Sequence, residues 1–512
     1  MVSHSLPRRR RRLILAAGIA LVTGAVLVPA VNAATPEATT ITATATATTP
    51  STKRLRDDFN GDGYPDLAIG APGTALGSTA KAGAVSVLYG SSSGLSTSRK
   101  QVLTRPGRDT SVPQTGYGSA LQSADLDRDG YADLVSTVDR TPTQNGPNYD
   151  GLFLVVNWGG PKGLSATPTP LSGIPETSYP GLTYALGDVD GDRNPDVVMM
   201  ADVNGDPDSP GDGTVLRGPF SRGGDAASSG RFTVDPEGMS FFDGIAVGDV
   251  TGDGIADLAV SSTFVDEPDS RAVDLLVGGP NGFTLKGALK DSQGRVVGGE
   301  DIEIGDLNKD GYADIVVGHV DDTYDSDVEL PSKGGALIVF YGGPNGVSDT
   351  RKPVWINQDT AGVPGVGEYH DGMGSGLSIG DTNGDGYLDV ATGLPGEDFD
   401  GLTDAGTVLV LRGSAGGLTT TGIKSLSQNT GGVPGSAEKL DRFGADTALV
   451  DANGDKRDGL VVGDWAENAG NGAAWVFSAT SSGVTASGSF TFGATTMGLP
   501  ATGSNFGASL AD

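Results

Sequence analysis

A nine-residue acidic loop recurs seven times in this chain, beginning at Asp58, Asp125, Asp188, Asp249, Asp306, Asp381 and Asp451, with 57 to 75 residues between starts. Asp381-Thr-Asn-Gly-Asp-Gly-Tyr-Leu-Asp389 is a clear copy. Oxygen-bearing side chains stand at positions 1, 3, 5 and 9, and glycine stands at position 6. Carboxylates crowded this closely need a cation to neutralise them, and hard oxygen donors of this kind suit calcium. Glycine supplies the positive φ that lets the loop curl around one point.

Five copies are intact: Asp58/Asn60/Asp62/Asp66, Asp125/Asp127/Asp129/Asp133, Asp249/Thr251/Asp253/Asp257, Asp306/Asn308/Asp310/Asp314 and Asp381/Asn383/Asp385/Asp389. Position 7 would add a backbone carbonyl from Tyr64, Tyr131, Ile255, Tyr312 and Tyr387. Thr251 is a weaker ligand than Asp or Asn. The third copy keeps Asp188, Asp190, Asp192 and Asp196 but has Arg193 for glycine, which predicts strain and an internal counter-charge. The seventh has Lys456 for glycine and Gly459 at position 9, with Asp458 one place early, so it is expected to be empty. Five to six calcium sites are therefore expected. An EF-hand would need an acid at position 12, where Ile69, Ser136, Met199, Val260, Val317, Thr392 and Val462 stand, so the helix-loop-helix reading fails. Asp, Asn and Gly also favour ordinary turns, but turn propensity does not explain five copies in register.

Each acidic loop is followed by a short apolar run such as Leu67-Ala-Ile69 or Ile315-Val-Val317. A further strand then follows a glycine, as in Gly335-Ala-Leu-Ile-Val-Phe-Tyr341, and closes in a turn such as Gly342-Gly-Pro-Asn-Gly346. Ahead of the loops come runs such as Tyr117-Gly-Ser-Ala-Leu121, Met373-Gly-Ser-Gly-Leu377 and Phe443-Gly-Ala445, read as the first strand of each unit. No stretch has sustained helical periodicity, and 82 glycines suit many short strands and tight turns. An all-β, seven-bladed propeller of four-stranded blades over residues 53–512 is predicted. The last residues, Phe506-Gly-Ala-Ser-Leu-Ala-Asp512, restate the pre-loop run, so the C-terminal strand is expected to complete the first blade.

At these motifs the chain resembles the FG-GAP repeats of the integrin α-subunit head, including Gly70-Ala-Pro72 after the first loop. The resemblance runs from about Arg54 to the end. It implies a seven-bladed propeller with calcium in the hairpin loops of some blades, and a role in adhesion or ligand binding.

Residues 1–33 read as a secretory signal peptide: Arg8 to Arg12, an apolar run from Leu13 to Val28, and Val31-Asn-Ala33 for cleavage. Residues 34–52 are Thr/Ala-rich and are expected to be a disordered tether for a secreted, cell-wall associated monomer with no membrane span after cleavage. The formal charge of -30 argues against nucleic acid and anionic membranes as partners. Cysteine is absent, and outside the signal only His319 and His370 remain, against zinc sites and histidine-based triads. Gly90-Ser-Ser-Ser-Gly94 fits a hydrolase elbow but falls where other repeats have turns. No catalytic residues are assigned.

Two readings stand. The first is a binding or adhesion module for an extracellular protein or glycan, with calcium mainly structural. Candidate ligand stretches are Thr141 to Gly146, Asp321 to Asp327 and Glu397-Asp-Phe-Asp400. The second is an exported hydrolase or polysaccharide lyase on the same scaffold.

Overall fold

The apolar runs after the acidic loops form strands buried along their whole length, Leu67–Ala71 and Asp314–His319 among them. They show no in/out alternation because both faces are covered by neighbouring sheets. The fourth strands, such as Thr419–Leu426, are polar and half exposed, as an outer edge requires. The computed structural model describes residues 56–104, 114–140, 152–174, 182–201, 211–235, 240–264, 267–320 and 331–511. The expected signal peptide and tether, and the candidate stretches at 141–146 and 321–327, lie outside these residues.

The described strands make seven antiparallel four-stranded blades, a β-propeller. Blade 6 is typical, with strands Ser375–Gly380, Asp389–Leu394, Thr407–Arg412 and Thr419–Leu426 in spatial order. Blade 2 carries an added two-residue strand, Gln114–Thr115, beside Asp133–Arg140. Helix is limited among the described residues to one turn at Ala494–Met497, while Glu467–Gly470 is a turn with Asn468 and Ala469 at φ of 53° and 59°. Blade 1 takes its innermost strand from the C-terminus: Leu510–Ala511 pairs with Leu67–Ala71, Ala511 opposite Ala68 and Leu510 opposite Ile69. The expected closure is present.

Innermost strands of successive blades lie side by side around the ring, and side chains tie them. Gln122 donates to the Tyr184 carbonyl at 3.0 Å and accepts from the Leu186 amide at 3.1 Å. Asp301 accepts from the Leu377 amide and Asp446 from the Leu510 amide, both at 2.8 Å. The apolar core is divided into seven clusters, each shared by two adjacent blades. A blade alone therefore has no core of its own.

The sequence reads the Phe-Gly runs as first strands, but the large apolar residue that opens each run lies just ahead of its strand. Tyr117, Met373, Phe443 and Phe506 are fully buried before strands beginning at Leu121, Ser375, Asp446 and Leu510. Tyr117, Met373 and Phe506 bridge Gly83, Gly335 and Gly472 of the preceding blade. Those glycines have φ of 82°, 86° and 74°, and a Cβ on any of them would strike the backbone of the bridged residue. The aromatic-glycine pattern is thus a contact between blades.

Candidate metal centre

In blades 2 to 7 the acidic loop joins the first and second strands, and in blade 1 it leads into the second, so all seven open at one end of the propeller. Local hydrogen bonds shape the loops. Asp381 at position 1 accepts from the amides of Gly384 and Gly386, both at 2.7 Å. Asn383 at position 3 accepts from the Asp385 amide at 2.8 Å, and Asp385 from the Tyr387 amide at 2.9 Å. The same ladder recurs in blade 1, through Asp58, Asn60 and Asp62. In the seventh loop, Asp451, Asn453 and Asp455 repeat it.

Position 6 has positive φ throughout, including Arg193 at 70° and Lys456 at 68°, where a side chain makes that conformation strained. Position 4 shares it: Gly61, Gly191, Gly252, Gly384 and Gly454, but also Arg128 at 61° and Lys309 at 59°. The second requirement was not read from the sequence.

Position 9 carries the clearest geometry. Asp66, Asp133, Asp196, Asp257, Asp314 and Asp389 have no exposed surface. One oxygen of each accepts from an amide near the start of its own loop, as with Leu307 to Asp314 at 3.2 Å. The other accepts from a glycine amide just past the third strand: Gly90, Gly159, Gly218, Gly278, Gly342 and Gly413, at 2.8 to 3.0 Å. Burial, with added repulsion from neighbouring acids, raises Asp66 and Asp133 to about 8 and Asp196 and Asp314 to about 7. These carboxyls pin the loop to its blade as well as offering oxygen to a cation.

Asn308, expected as the position-3 ligand of the fifth loop, also makes a contact within the loop through its amide nitrogen. It is buried, and its side-chain amide donates to both oxygens of Asp314, at 3.1 and 3.4 Å. The Asp310 amide accordingly turns to Asp306 at 3.2 Å, where Asn60 and Asn383 receive the equivalent amide in their own loops. The physical reason lies in Asp314, a carboxylate with no exposed surface, which draws the nearest neutral donor to itself. Asn308 therefore braces position 9 in the fifth loop through its amide nitrogen, and its side-chain oxygen stays in the expected donor set with Asp306, Asp310 and the Tyr312 carbonyl.

Substituting Asp314 by Ala strands two buried backbone amides and the Asn308 side chain, and is expected to cost about 2–4 kcal/mol, with or without calcium. Asp310→Ala, at exposed position 5, should cost stability only when calcium is present. Urea melts of both variants in calcium and in EDTA check this; equal losses in EDTA would refute the pinning role.

The donor set fits a hard cation in the second and third loops most plainly. Ligand oxygens of Asp125, Asp127 and Asp133 lie within 4.8 Å of one another, as do those of Asp188, Asp190 and Asp196. Position-5 carboxylates stand at the exposed rim in every copy: Asp62, Asp129, Asp192, Asp253, Asp310, Asp385 and Asp455.

Basic side chains enter these loops from places the sequence did not suggest. Arg222, in the turn after the third strand of blade 3, pairs with Asp127 at 2.6 Å and with Asp129 in the loop of blade 2. Arg217 of blade 3 pairs with Asp190 at 3.0 Å. The counter-charge foreseen at Arg193 is therefore supplied by Arg217. In the seventh loop Asp458 turns away, and its carboxylate accepts from the Asp381 amide of blade 6 at 2.6 Å.

The loops also interlock. The position-8 amide of one blade donates to the position-1 carbonyl of the preceding blade: Ala132 to Asp58, Ala256 to Asp188, Ala313 to Asp249 and Asp458 to Asp381. Pro65 and Pro195 occupy that position elsewhere and have no such proton to give. Position-7 side chains reach back as well. Tyr131 lies over Gly61, Ile255 over Gly191, Tyr312 over Gly252 and Tyr64 over Gly454, leaving no room for a Cβ at Gly61. Sequence reasoning gave these residues only a carbonyl. Their rings and branches join successive loops.

The FG-GAP repeat family matches residues 57–88 and 373–411, the loops and flanking strands of blades 1 and 6. The chain therefore carries FG-GAP repeats. Its repeats are 30% identical over 240 residues to integrin alpha-PS2 of Drosophila melanogaster, covering 44% of this chain and 16% of that protein. They are 36% identical over 122 residues to human integrin alpha-6, covering 24% and 9%. A 78-residue stretch is 45% identical to rat phosphatidylinositol-glycan-specific phospholipase D, covering 15% and 9%. The chain thus spans less than one fifth of these relatives. No helix among the described residues is long and apolar enough to cross a membrane.

Proposed function

We propose that this FG-GAP propeller is a secreted binding or adhesion module, with calcium in its hairpin loops serving to hold the ring. Residues 1–33 would direct export and residues 34–52 would tether the ring. The ligand is an extracellular glycan or protein.

The observation that carries this reading is a cleft at the end opposite the acidic loops. It has a volume of ≈ 340 Å³ and is lined by Gln358, Glu397, Phe399, Asp400, Asn429 and Thr430, among others. Three of these belong to the one candidate ligand stretch that lies within the described residues. Several hydrogen-bonding side chains around one aromatic ring suit a sugar, whose hydroxyls need partners and whose apolar face stacks on rings. No acidic hairpin loop opens into it, so metal binding and ligand binding are separable.

Binding to a glycan array without turnover is the expected result for the full chain in calcium, weakened at least tenfold by Phe399→Ala. Product release from a polysaccharide panel would favour the hydrolase or lyase reading. Array binding untouched by Phe399→Ala would remove this cleft from the proposal.

A further inference from the structure

The second and third acidic loops each carry one carboxylate more than their neighbours. They have Asp127 and Asp190 at position 3, where the first, fifth and sixth loops have Asn60, Asn308 and Asn383 and the fourth has Thr251. A further carboxylate among three others meets repulsion unless a positive charge is brought to it. Both loops receive one. Arg222 pairs with Asp127 and Arg217 with Asp190, whereas among the described residues no ion pair reaches Asp62, Asp253, Asp310 or Asp385. The seventh loop, expected to be empty, has Arg457 on Asp455 at 2.9 Å.

The turn that carries Arg222 is fixed to blade 2 on both sides. Phe220 is buried in the cluster shared by blades 2 and 3, and its amide donates to the Leu126 carbonyl at 2.9 Å. The Ser172 amide donates to the Gly224 carbonyl at 2.9 Å. Gly224, at φ of 91°, lies so near the Pro170 carbonyl that a Cβ would strike it. The Gly224 amide closes the turn on the Ser221 carbonyl at 2.8 Å, which sets Arg222 at the first middle position. Turns closed in the same way in blades 1, 2, 4 and 6 have Ser92, Pro161, Pro280 and Ala415 there. None of these is charged.

The guanidinium takes the oxygens that the loop's own hydrogen bonds leave over. Asp127 Oδ1 accepts from the Asp129 amide at 3.2 Å, and Asp129 Oδ1 from the Tyr131 amide at 3.1 Å. Arg222 Nε donates to Asp127 Oδ2 at 2.6 Å and Nη2 to Asp129 Oδ2. Nη2 also donates to the carbonyl of Gly159 at 3.1 Å, and the amide of that glycine bonds Asp133 at position 9. One planar cation thus spans positions 3 and 5. An entering ion would have to draw the same two oxygens from it. In the third loop Arg217 holds Asp190 Oδ2, and the Asn194 side chain donates to Asp192 Oδ2 at 2.7 Å.

We propose that Arg222 is a built-in counter-ion of the second loop, which stands in for calcium when the ion is absent, competes with it for Asp127 and Asp129, and so lowers that loop's calcium affinity. The inference rests on the calcium reading of the hairpin loops. The joint between blades 2 and 3 would keep a cation of its own when calcium is withdrawn.

Calcium isotherms of the full chain by titration calorimetry, with melts in EDTA and in saturating calcium, test this. Arg222→Gln is expected to tighten one calcium equivalent about tenfold. It should also lower the melting temperature in EDTA by about 2 °C, a loss that disappears in saturating calcium. Arg222→Lys, which keeps the charge but not the fork, should lie between the natural chain and Arg222→Gln in both readouts. Lys286→Gln, which removes an exposed charge from the outer strand of blade 4, should change neither. An isotherm unchanged in Arg222→Gln would overturn the proposal, as would an equal loss of stability with and without calcium, or the same tightening in Lys286→Gln. Absence of calcium binding in every protein would bring down the calcium reading together with this one. Binding in all of them with identical isotherms would count against Arg222 alone.

Discussion

Removing calcium with EDTA is expected to lower the melting temperature by on the order of 10 °C, with calcium restoring it better than magnesium. Extracellular calcium sites commonly have dissociation constants of about 10⁻⁴–10⁻³ M. In millimolar calcium each occupied loop would then add roughly 0.6–2 kcal/mol by mass action. Five or six such loops add several kcal/mol, and a large domain loses about 2 °C per kcal/mol. The loops interlock from blade to blade, so emptying them loosens junctions as well as single turns. Magnesium demands a tighter octahedral shell than a nine-residue loop with a backbone carbonyl offers.

The pH dependence has a definite sign. In the calcium-free protein the raised carboxyls of Asp66, Asp133, Asp196 and Asp314 hold protons that the unfolded chain has released. Their contribution to stability is complete below the ordinary aspartate range and is lost as pH rises through about 7 to 8. Calcium binding would displace those protons, so its stabilising effect is expected to grow over that window. Calorimetry at pH 5 and pH 8, each with calcium and with EDTA, measures both. A melting temperature indifferent to EDTA at pH 8 would end the metal reading.

Deleting residues 505–512 is expected to do more damage still. Leu510 and Ala511 complete blade 1, and Phe506 is fully buried in the cluster shared with blade 7. The Ser509 carbonyl accepts from Gly70 at 2.8 Å, the Gly507 amide donates to Gly70 at 2.9 Å, and the Ser509 hydroxyl donates to Gly118 at 2.7 Å. Losing Phe506 alone should cost about 3–5 kcal/mol and Leu510 about 2–5 kcal/mol. The truncation also bares a sheet edge in blade 1 and parts it from blade 7. Melting should fall by tens of degrees or lose cooperativity, which calorimetry and size-exclusion chromatography would show. A truncated chain that melts like the whole one would mean the ring is held shut elsewhere.

The repeat itself was legible in the sequence. The seven acidic loops, the buried strand after each, the all-β class, the ring and its C-terminal closure all follow from a pattern whose register is local. Its glycine at position 6 and its missing acid at position 12 are local too. Only the tertiary structure decided what each loop meets. Arg222 reaches Asp127 from the next blade, and Tyr131 covers Gly61 of the preceding one. Asp314 bonds the amide of Gly342, beyond the third strand, and holds Asn308 to itself. The Phe-Gly residues face glycines of the blade before, not strand partners in their own. Such contacts have no period to read, because blade-to-blade packing depends on side-chain size and charge at positions that differ from one repeat to the next. Local periodicity specifies the blades. The joints between them, where the candidate sites lie, are fixed only when the ring closes.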